Sequence, residues 1–214
     1  MSTHFDLVVF DLDGTLVETR EDLAASVNYA LRATGIPELA VETIVHFVGD
    51  GALKLIQRSL GENNDRALCD EVLETFLGHY EGHCTEKSLA YPGVAEIIPG
   101  LSPLPLAVLT NKPAGPTDII LNALGLKACF ENVIGGDSEY GRKPDPAGLL
   151  AIISGSQVQP ARTLLVGDTS VDVLTARNAG CQCAGVQYGF RPGDFIKDPP
   201  DYLLGEFSDL LKVL

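Results

Sequence analysis

Two aspartates close an apolar run near the start of the chain. Phe5 to Phe10 reads FDLVVF, and Asp11-Leu12-Asp13-Gly14-Thr15-Leu16 follows it. Side chains two apart share a side while the backbone stays extended. If that geometry persists past the run, both carboxylates face one place, where they suit nucleophilic attack, proton transfer or binding of a hard cation. Asp-x-Asp-Gly also makes an ordinary Asx turn. Chemically capable residues recur in the same setting downstream. Thr110 and Asn111 follow the run PLAVL (105–109), Arg142-Lys143-Pro144 lies further on, and Asp168, with Asp172 four residues later, follows TLLV (163–166). Each has a plainer use. Thr110 can simply end a strand and Lys143 can be a solvated charge before a proline turn. Asp168 can cap a helix, with Asp172 in its first turn, both favoured by the helix dipole.

The elements that hold these residues alternate. FDLVVF, PLAVL, TLLV and 183–186 are short apolar runs, each bounded by turn residues, and read as buried strands; a weaker one lies near Val133. Helical patterns stand between them at 115–124, at 146–154 with Pro146 near its start, and at 171–179 after Thr169-Ser170 and before Gly180. Strand–helix alternation predicts βαβ units and a doubly wound parallel sheet, and ligands of open sheets bind beyond the carboxyl ends of the strands. One stretch breaks the pattern. From about Arg20 to Glu86 the sequence is helical throughout, with Gly35, Gly49 and Gly61 closing successive segments before the long stretch Asp65–Cys84. An all-helical insertion is expected at 18–87, with residues 1–17 and 88–214 forming the α/β unit.

Composition narrows the partners. The 214 residues carry 15 basic and 29 acidic side chains, a net charge of −14. That sign repels nucleic acid and anionic membrane, so neither is an expected partner. A phosphorylated substrate would then need a locally positive pocket. No apolar stretch approaches the roughly 18 residues of a membrane span, and Met1–Asp6 lacks the basic and apolar regions of a signal peptide. The five cysteines, Cys69, Cys84, Cys129, Cys181 and Cys183, form no CxxC pair, which suits a reducing cytoplasm.

The ordered set of DLDGTL at 11–16, Leu109-Thr110-Asn111, Arg142-Lys143-Pro144 and Val166-Gly167-Asp168 with Asp172 resembles the haloacid dehalogenase superfamily of magnesium-dependent phosphatases across essentially the whole chain. The resemblance implies a Rossmann-like core with an inserted helical cap. It implies Asp11 as the nucleophile forming an aspartyl-phosphate and Asp13 as the acid and base for the leaving oxygen and water. Thr110, Asn111 and Lys143 would bind the phosphoryl group. Mg²⁺ would be held by the Asp11 side chain, the Asp13 carbonyl and the Asp168 side chain, with Asp172 supporting the metal or Lys143. The expected partner is a small phosphorylated metabolite.

Within the superfamily the chain is most similar to the phosphoglycolate phosphatases, through Asp22-Leu23-Ala24-Ala25-Ser26, Val48-Gly49-Asp50-Gly51, Leu109-Thr110-Asn111-Lys112-Pro113 and Gly135-Gly136-Asp137. That similarity implies hydrolysis of 2-phosphoglycolate; pyrophosphatases, sugar phosphatases, phosphomutases and phosphonatases share the same core. Two departures are visible: Asp50 where Asn is frequent, and Glu18-Thr19 in place of Asp-Ser at the hinge of the insertion. Gly49 and Gly51 precede a helix whose N-terminal N–H groups suit an anion, and Lys54 and Arg58 lie four apart on it. Lys54 is also the candidate Schiff-base lysine of a phosphonatase. His79 and His83, also four apart, fit a polar helix face better than a zinc site. A phospho-accepting signalling domain is the non-enzymatic alternative, against which Asp13 and the insertion both argue.

Overall fold

The computed structural model describes residues 5–63 and 65–214; the start of the expected first segment, Met1–His4, lies outside them. In chain order the elements are β1 (Leu7–Phe10), β2 (Val17–Glu18), α1 (Arg20–Ala33), α2 (Val41–Phe47), α3 (Ala52–Leu60), α4 (Arg66–His83), β3 (Leu89–Ala90), α5 (Val94–Gly100), β4 (Leu106–Leu109), α6 (Ala114–Ala123), β5 (Asn132–Ile134), α7 (Ala147–Gly155), β6 (Thr163–Gly167), α8 (Ser170–Ala179), β7 (Gln182–Val186), β8 (Tyr202–Leu204) and α9 (Leu210–Val213).

Six of the strands form one parallel sheet in the order β5-β4-β1-β6-β7-β8. The alternation of burial explains why β1 is apolar at every position. Val8 and Phe10 enter the core on one face, with Ile98, Ile120, Leu121 and Phe207. Leu7 and Val9 enter the opposite one, with Leu149, Ile152, Val173 and Ala176 of α7 and α8. A strand covered on both faces cannot carry polar residues without stranding them, so it reads as a continuous apolar run. This is the doubly wound sheet expected from the sequence. The strand order reverses direction at β1: the chain runs outward through β4 and β5, then crosses back to β6 on the other side. That reversal opens a crevice beyond the carboxyl ends of β1, β4 and β6.

Register sets what lies in the crevice. Phe10 aligns with Val108 of β4 and with Val166 of β6, so the residues just beyond these positions (Asp11, Thr110 and Asp168) gather at one edge of the sheet. Among the described residues the stretch 20–83 holds the helices α1 to α4 and no strand, as expected, and α1 packs along α4. Its two crossings to the sheet domain run through β2 and β3, which pair antiparallel with Val17 opposite Ala90. Both crossings were invisible in the sequence, being only two residues each. A second tie closes the base of the helices. The buried Asp22 carboxylate accepts from the Lys87 N–H (3.0 Å), the Ser88 N–H (2.8 Å) and the Ser88 hydroxyl (2.7 Å). Among the described residues, no helix is long and apolar enough to cross a membrane.

Candidate active site

Asp11 ends β1, its N–H held by the Val166 carbonyl at 2.9 Å. The extended chain does not persist beyond it: the N–H groups of Thr15, Leu16 and Val17 all fold back on the Leu12 carbonyl. Asp11 and Asp13 nevertheless both line one cleft, of about 610 Å³ counted to its open mouth. The Asp11 carboxylate takes the Leu12 N–H at 2.7 Å and the Lys143 ammonium at 2.9 Å, both on Oδ1. Asp13 takes the Thr19 hydroxyl on Oδ1 at 2.6 Å and pairs with the Lys112 ammonium through Oδ2 at 3.0 Å.

Lys143 is buried and bridges two carboxylates, Asp11 at 2.9 Å and Asp172 at 2.6 Å. Burial opposes its charge, yet Asp11 and Asp172 together hold its ammonium above the usual lysine range. Asp172 spends its other oxygen, Oδ2, on the Thr169 N–H and hydroxyl in a capping box that starts α8. Asp168 is buried too, with Oδ2 accepting the Phe190 N–H at 2.7 Å. It can sit so close to the turn after β1 because residue 14 is glycine. Gly14 has φ +77°, and a Cβ there would stand 2.2 Å from Asp168 Oδ2.

Thr110 and Asn111 occupy the loop after β4. The Thr110 hydroxyl oxygen accepts the Lys112 N–H at 3.2 Å, which leaves its own proton to donate. Asn111 uses its whole side-chain amide on the protein. Nδ2 donates to the Gly49 carbonyl (2.8 Å) and the Lys143 carbonyl (3.0 Å), and Oδ1 accepts the Lys143 N–H (2.8 Å). With the amide so engaged, the main-chain N–H of Asn111 is what remains for a ligand. The Gly135-Gly136-Asp137 string builds this loop: the Gly136 N–H donates to the Lys112 carbonyl at 2.8 Å, and Asp137 accepts from the Ala114 N–H at the start of α6.

Asp11, Asp168 and Asp172 bring carboxylate oxygens within 4.8 Å of one another, and all three are buried. Burial, then the neighbouring Asp172 and Asp13, push the Asp11 carboxyl up to about 6 against the opposing pull of Lys143. Burial, with Asp172 and Asp11 beside it, lifts Asp168 well above the carboxylate range. Three acids facing one ammonium leave an excess of negative charge that a divalent cation would relieve. The donors are all oxygen, which suits a hard ion rather than zinc. Asp11 Oδ2 and Asp168 Oδ1 receive no donor among the described residues, whereas both oxygens of Asp172 are engaged. The residues present therefore fit a divalent metal on Asp11 and Asp168, with Asp172 holding Lys143.

The helical insertion forms the opposite wall of the cleft with Leu23, Val48, Leu55, Phe76 and Leu77, together with Gly49, Gly51 and Ala52 at the start of α3. Lys54 and Arg58 do not join it; both are exposed. Arg58 instead pairs with Asp50 at 2.6 Å and donates to the Phe47 carbonyl at 2.9 Å. The acidic residue at this departure from the family pattern is thus matched by its own counter-ion. His79 and His83 stack with ring centroids 4.1 Å apart, His79 on Ser26 and His83 on Glu86, in keeping with a polar helix face. The sequence reading gave no role to Lys112 or Tyr80, nor any contact with the site to Thr19. Lys112 was flagged only by its place directly after Thr110-Asn111.

A family model described as haloacid dehalogenase-like hydrolase matches residues 8–186. Over full length, the chain is 37% identical to a phosphoglycolate phosphatase of Mannheimia succiniciproducens, with 100% of each protein covered. It is likewise 37% identical to a phosphoglycolate phosphatase of Pseudomonas putida, with 96% of this chain and 78% of that protein covered. A crystal structure described as a predicted phosphoglycolate phosphatase from Haemophilus somnus superposes with a TM-score of 0.92 at 32% identity, covering 98% of this chain and 97% of the other.

Proposed function

We propose a specific reaction for this chain, which belongs to the haloacid dehalogenase-like hydrolases: hydrolysis of 2-phosphoglycolate to glycolate and phosphate, with magnesium as the resident ion. The chain is a phosphatase of that family. The observation that carries the reaction is the asymmetry between the two acids at the end of β1. Asp11 is held on Oδ1 by Lys143 and Leu12, leaving Oδ2 toward the cleft as nucleophile. Asp13 is held by a separate pair of partners, Thr19 and Lys112, and in this reading it takes the leaving-group side.

A phosphomonoester dianion repels a carboxylate; Asp11, Asp168 and the Asp13 carbonyl would hold a divalent ion, which would supply the charge neutralisation for in-line approach. Asp11 Oδ2 attacks phosphorus and the bond to the ester oxygen breaks. Asp13 delivers a proton to that oxygen, giving a neutral alcohol and an aspartyl-phosphate. Asp13, now a carboxylate, then takes a proton from water as the water attacks phosphorus and releases Asp11. Throughout, the Thr110 hydroxyl and Asn111 N–H donate to phosphoryl oxygens, and Lys143 keeps Asp11 oriented with Asp172 behind it. Gly49 and Gly51 border the cleft at the N-terminus of α3, where main-chain N–H groups suit an anion. The helical segment 18–87 acts as the cap over this chemistry and residues 1–17 and 88–214 as the catalytic unit. The five free thiols support a cytoplasmic setting.

The test is turnover of 2-phosphoglycolate, pyrophosphate, sugar phosphates and p-nitrophenyl phosphate with magnesium or EDTA. Asp11→Asn is expected to lower turnover by about four orders of magnitude, as removal of a nucleophile does, and EDTA to abolish it. Unchanged turnover in either case would reject the mechanism; preference for pyrophosphate or a hexose phosphate would reject the substrate.

A further inference from the structure

Lys112 lines the cleft, while two arginines stand against the glycines of its rim: Arg142 at Gly51, donating to the Gly136 carbonyl at 2.9 Å, and Arg191 at Gly49, paired with Asp194 at 3.5 Å. Lys112 follows the Thr110-Asn111 loop, yet its side chain turns inward and is only 3% exposed. Two of the three protons of its ammonium are accounted for. One faces Asp13 Oδ2 at 3.0 Å, and another donates to the Tyr80 hydroxyl of α4 at 2.8 Å, with the charge 4.4 Å from the Tyr80 ring centroid. A buried ammonium has a third donor to place. The walls near it are apolar, from Leu23, Phe76 and Leu77.

We propose that Lys112 is the specificity-determining cation of the cleft, binding a carboxylate carried by the leaving group close to the ester oxygen. The inference rests on the reading of Asp13 as the leaving-group acid. A residue in contact with that acid lies on the leaving-group side, opposite Lys143, which is committed to Asp11 and Asp172. In 2-phosphoglycolate the carboxylate is one carbon removed from the ester oxygen that Asp13 protonates. An ammonium bonded to Asp13 is therefore within reach of it. The charge balance agrees. With Asp13 carrying its proton as the leaving-group acid, Asp11, Asp168 and Asp172 stand against Lys143, Lys112 and a divalent ion, which leaves the site one positive charge to meet an anionic substrate. Tyr80 fixes where the charge points, by hydroxyl and ring face together. Asp50, between the cleft-lining Gly49 and Gly51, is already matched by Arg58 at 2.6 Å.

The experiment compares kcat/KM for 2-phosphoglycolate with that for ethyl phosphate, which carries no carboxylate. Wild type is expected to prefer 2-phosphoglycolate. Lys112→Met should lower the preference by about 100-fold, since losing one partner of a buried charge pair costs that much. Lys112→Arg should retain most of it. Tyr80→Phe keeps the charge but loosens its anchor, and should lower the preference by a smaller factor, which guards against a Lys112→Met protein that fails to fold. Using a ratio removes any effect of Lys112 on Asp13, because that effect is common to both esters. Equal losses on the two esters would overturn the proposal and leave Lys112 as a positioning residue for Asp13. Wild-type preference for the ester without a carboxylate, with turnover still dependent on Asp11, would overturn it as well. Turnover independent of Asp11 would instead reject the phosphatase mechanism itself.

Discussion

At the scale of single residues, the site is governed by how much negative charge is buried in one place. Asp11 and Asp168 both hold their protons more tightly than free carboxyls, Asp11 up to about 6. For a carboxyl raised in the fold, the unfolded chain releases its proton first as pH rises. These groups therefore favour the native state at low pH, and that stability is lost between about 4 and 6 for Asp11. A divalent ion needs the deprotonated form, so protons and metal compete. Magnesium should raise the melting temperature at pH 7.5 and do so much less at pH 5, with apparent affinity falling up to tenfold per unit below about 6. Thermal melts with magnesium or EDTA at the two pH values measure this. Asp168→Asn should abolish the shift while the protein still folds, because Asn keeps the acceptor that the Phe190 N–H requires.

At the scale of elements, strands deliver the acids and short turns aim them. The turn 135–137 is built against the Thr110–Lys112 loop so closely that a Cβ on Gly136 would stand 2.3 Å from the Asn111 carbonyl oxygen. Gly136→Ala must push that loop, and with it the Thr110 hydroxyl. Turnover is expected to fall by about 10²-fold, the effect of misplacing a group that binds the reacting centre, with only a modest drop in melting temperature. A drop confined to stability would show that the loop tolerates the push. The main strands were legible because burial on both faces leaves an unbroken apolar run, and α8 because Thr169 and Gly180 mark its ends. Several elements were not. β2 and β3 are too short to show periodicity, β8 is an edge strand of three residues, and α5 contains Pro99 and Gly100, which read as a connection. Asp11, Asp13, Thr110, Asn111, Lys143 and Asp168 were legible through their order along the chain. The Lys112–Tyr80 and Thr19–Asp13 contacts were not, since spacing says nothing about which distant side chains meet.

At the scale of the molecule, the helical insertion meets the sheet domain through a few polar ties: Asn111 to the Gly49 carbonyl, Lys112 to Tyr80, and Asp22 to the segment 87–88. The last involves no residue that lines the cleft. Asp22→Ala would leave the Lys87 and Ser88 N–H groups without their acceptor, and the cost should be about 2–3 kcal/mol, as for a lost charge-assisted bond with its partners stranded. Urea denaturation of the two proteins gives that difference. An Asp22→Ala protein with unchanged stability would show that the Asp22 tie is dispensable to the join between the two parts.

The crossing of the chain at β1 also fixes a timetable. Asp11 follows the first strand, the lysine that pairs with it stands only at 143, and the carboxylate of Asp168 comes later still. A nascent polypeptide that has made the first strand and the four helices holds Asp11 and Asp13 with neither. On the proposed reading of the site, such a fragment lacks the Asp168 carboxylate and the Lys143 ammonium, so a divalent ion would find its full set of donors only once the sheet is complete.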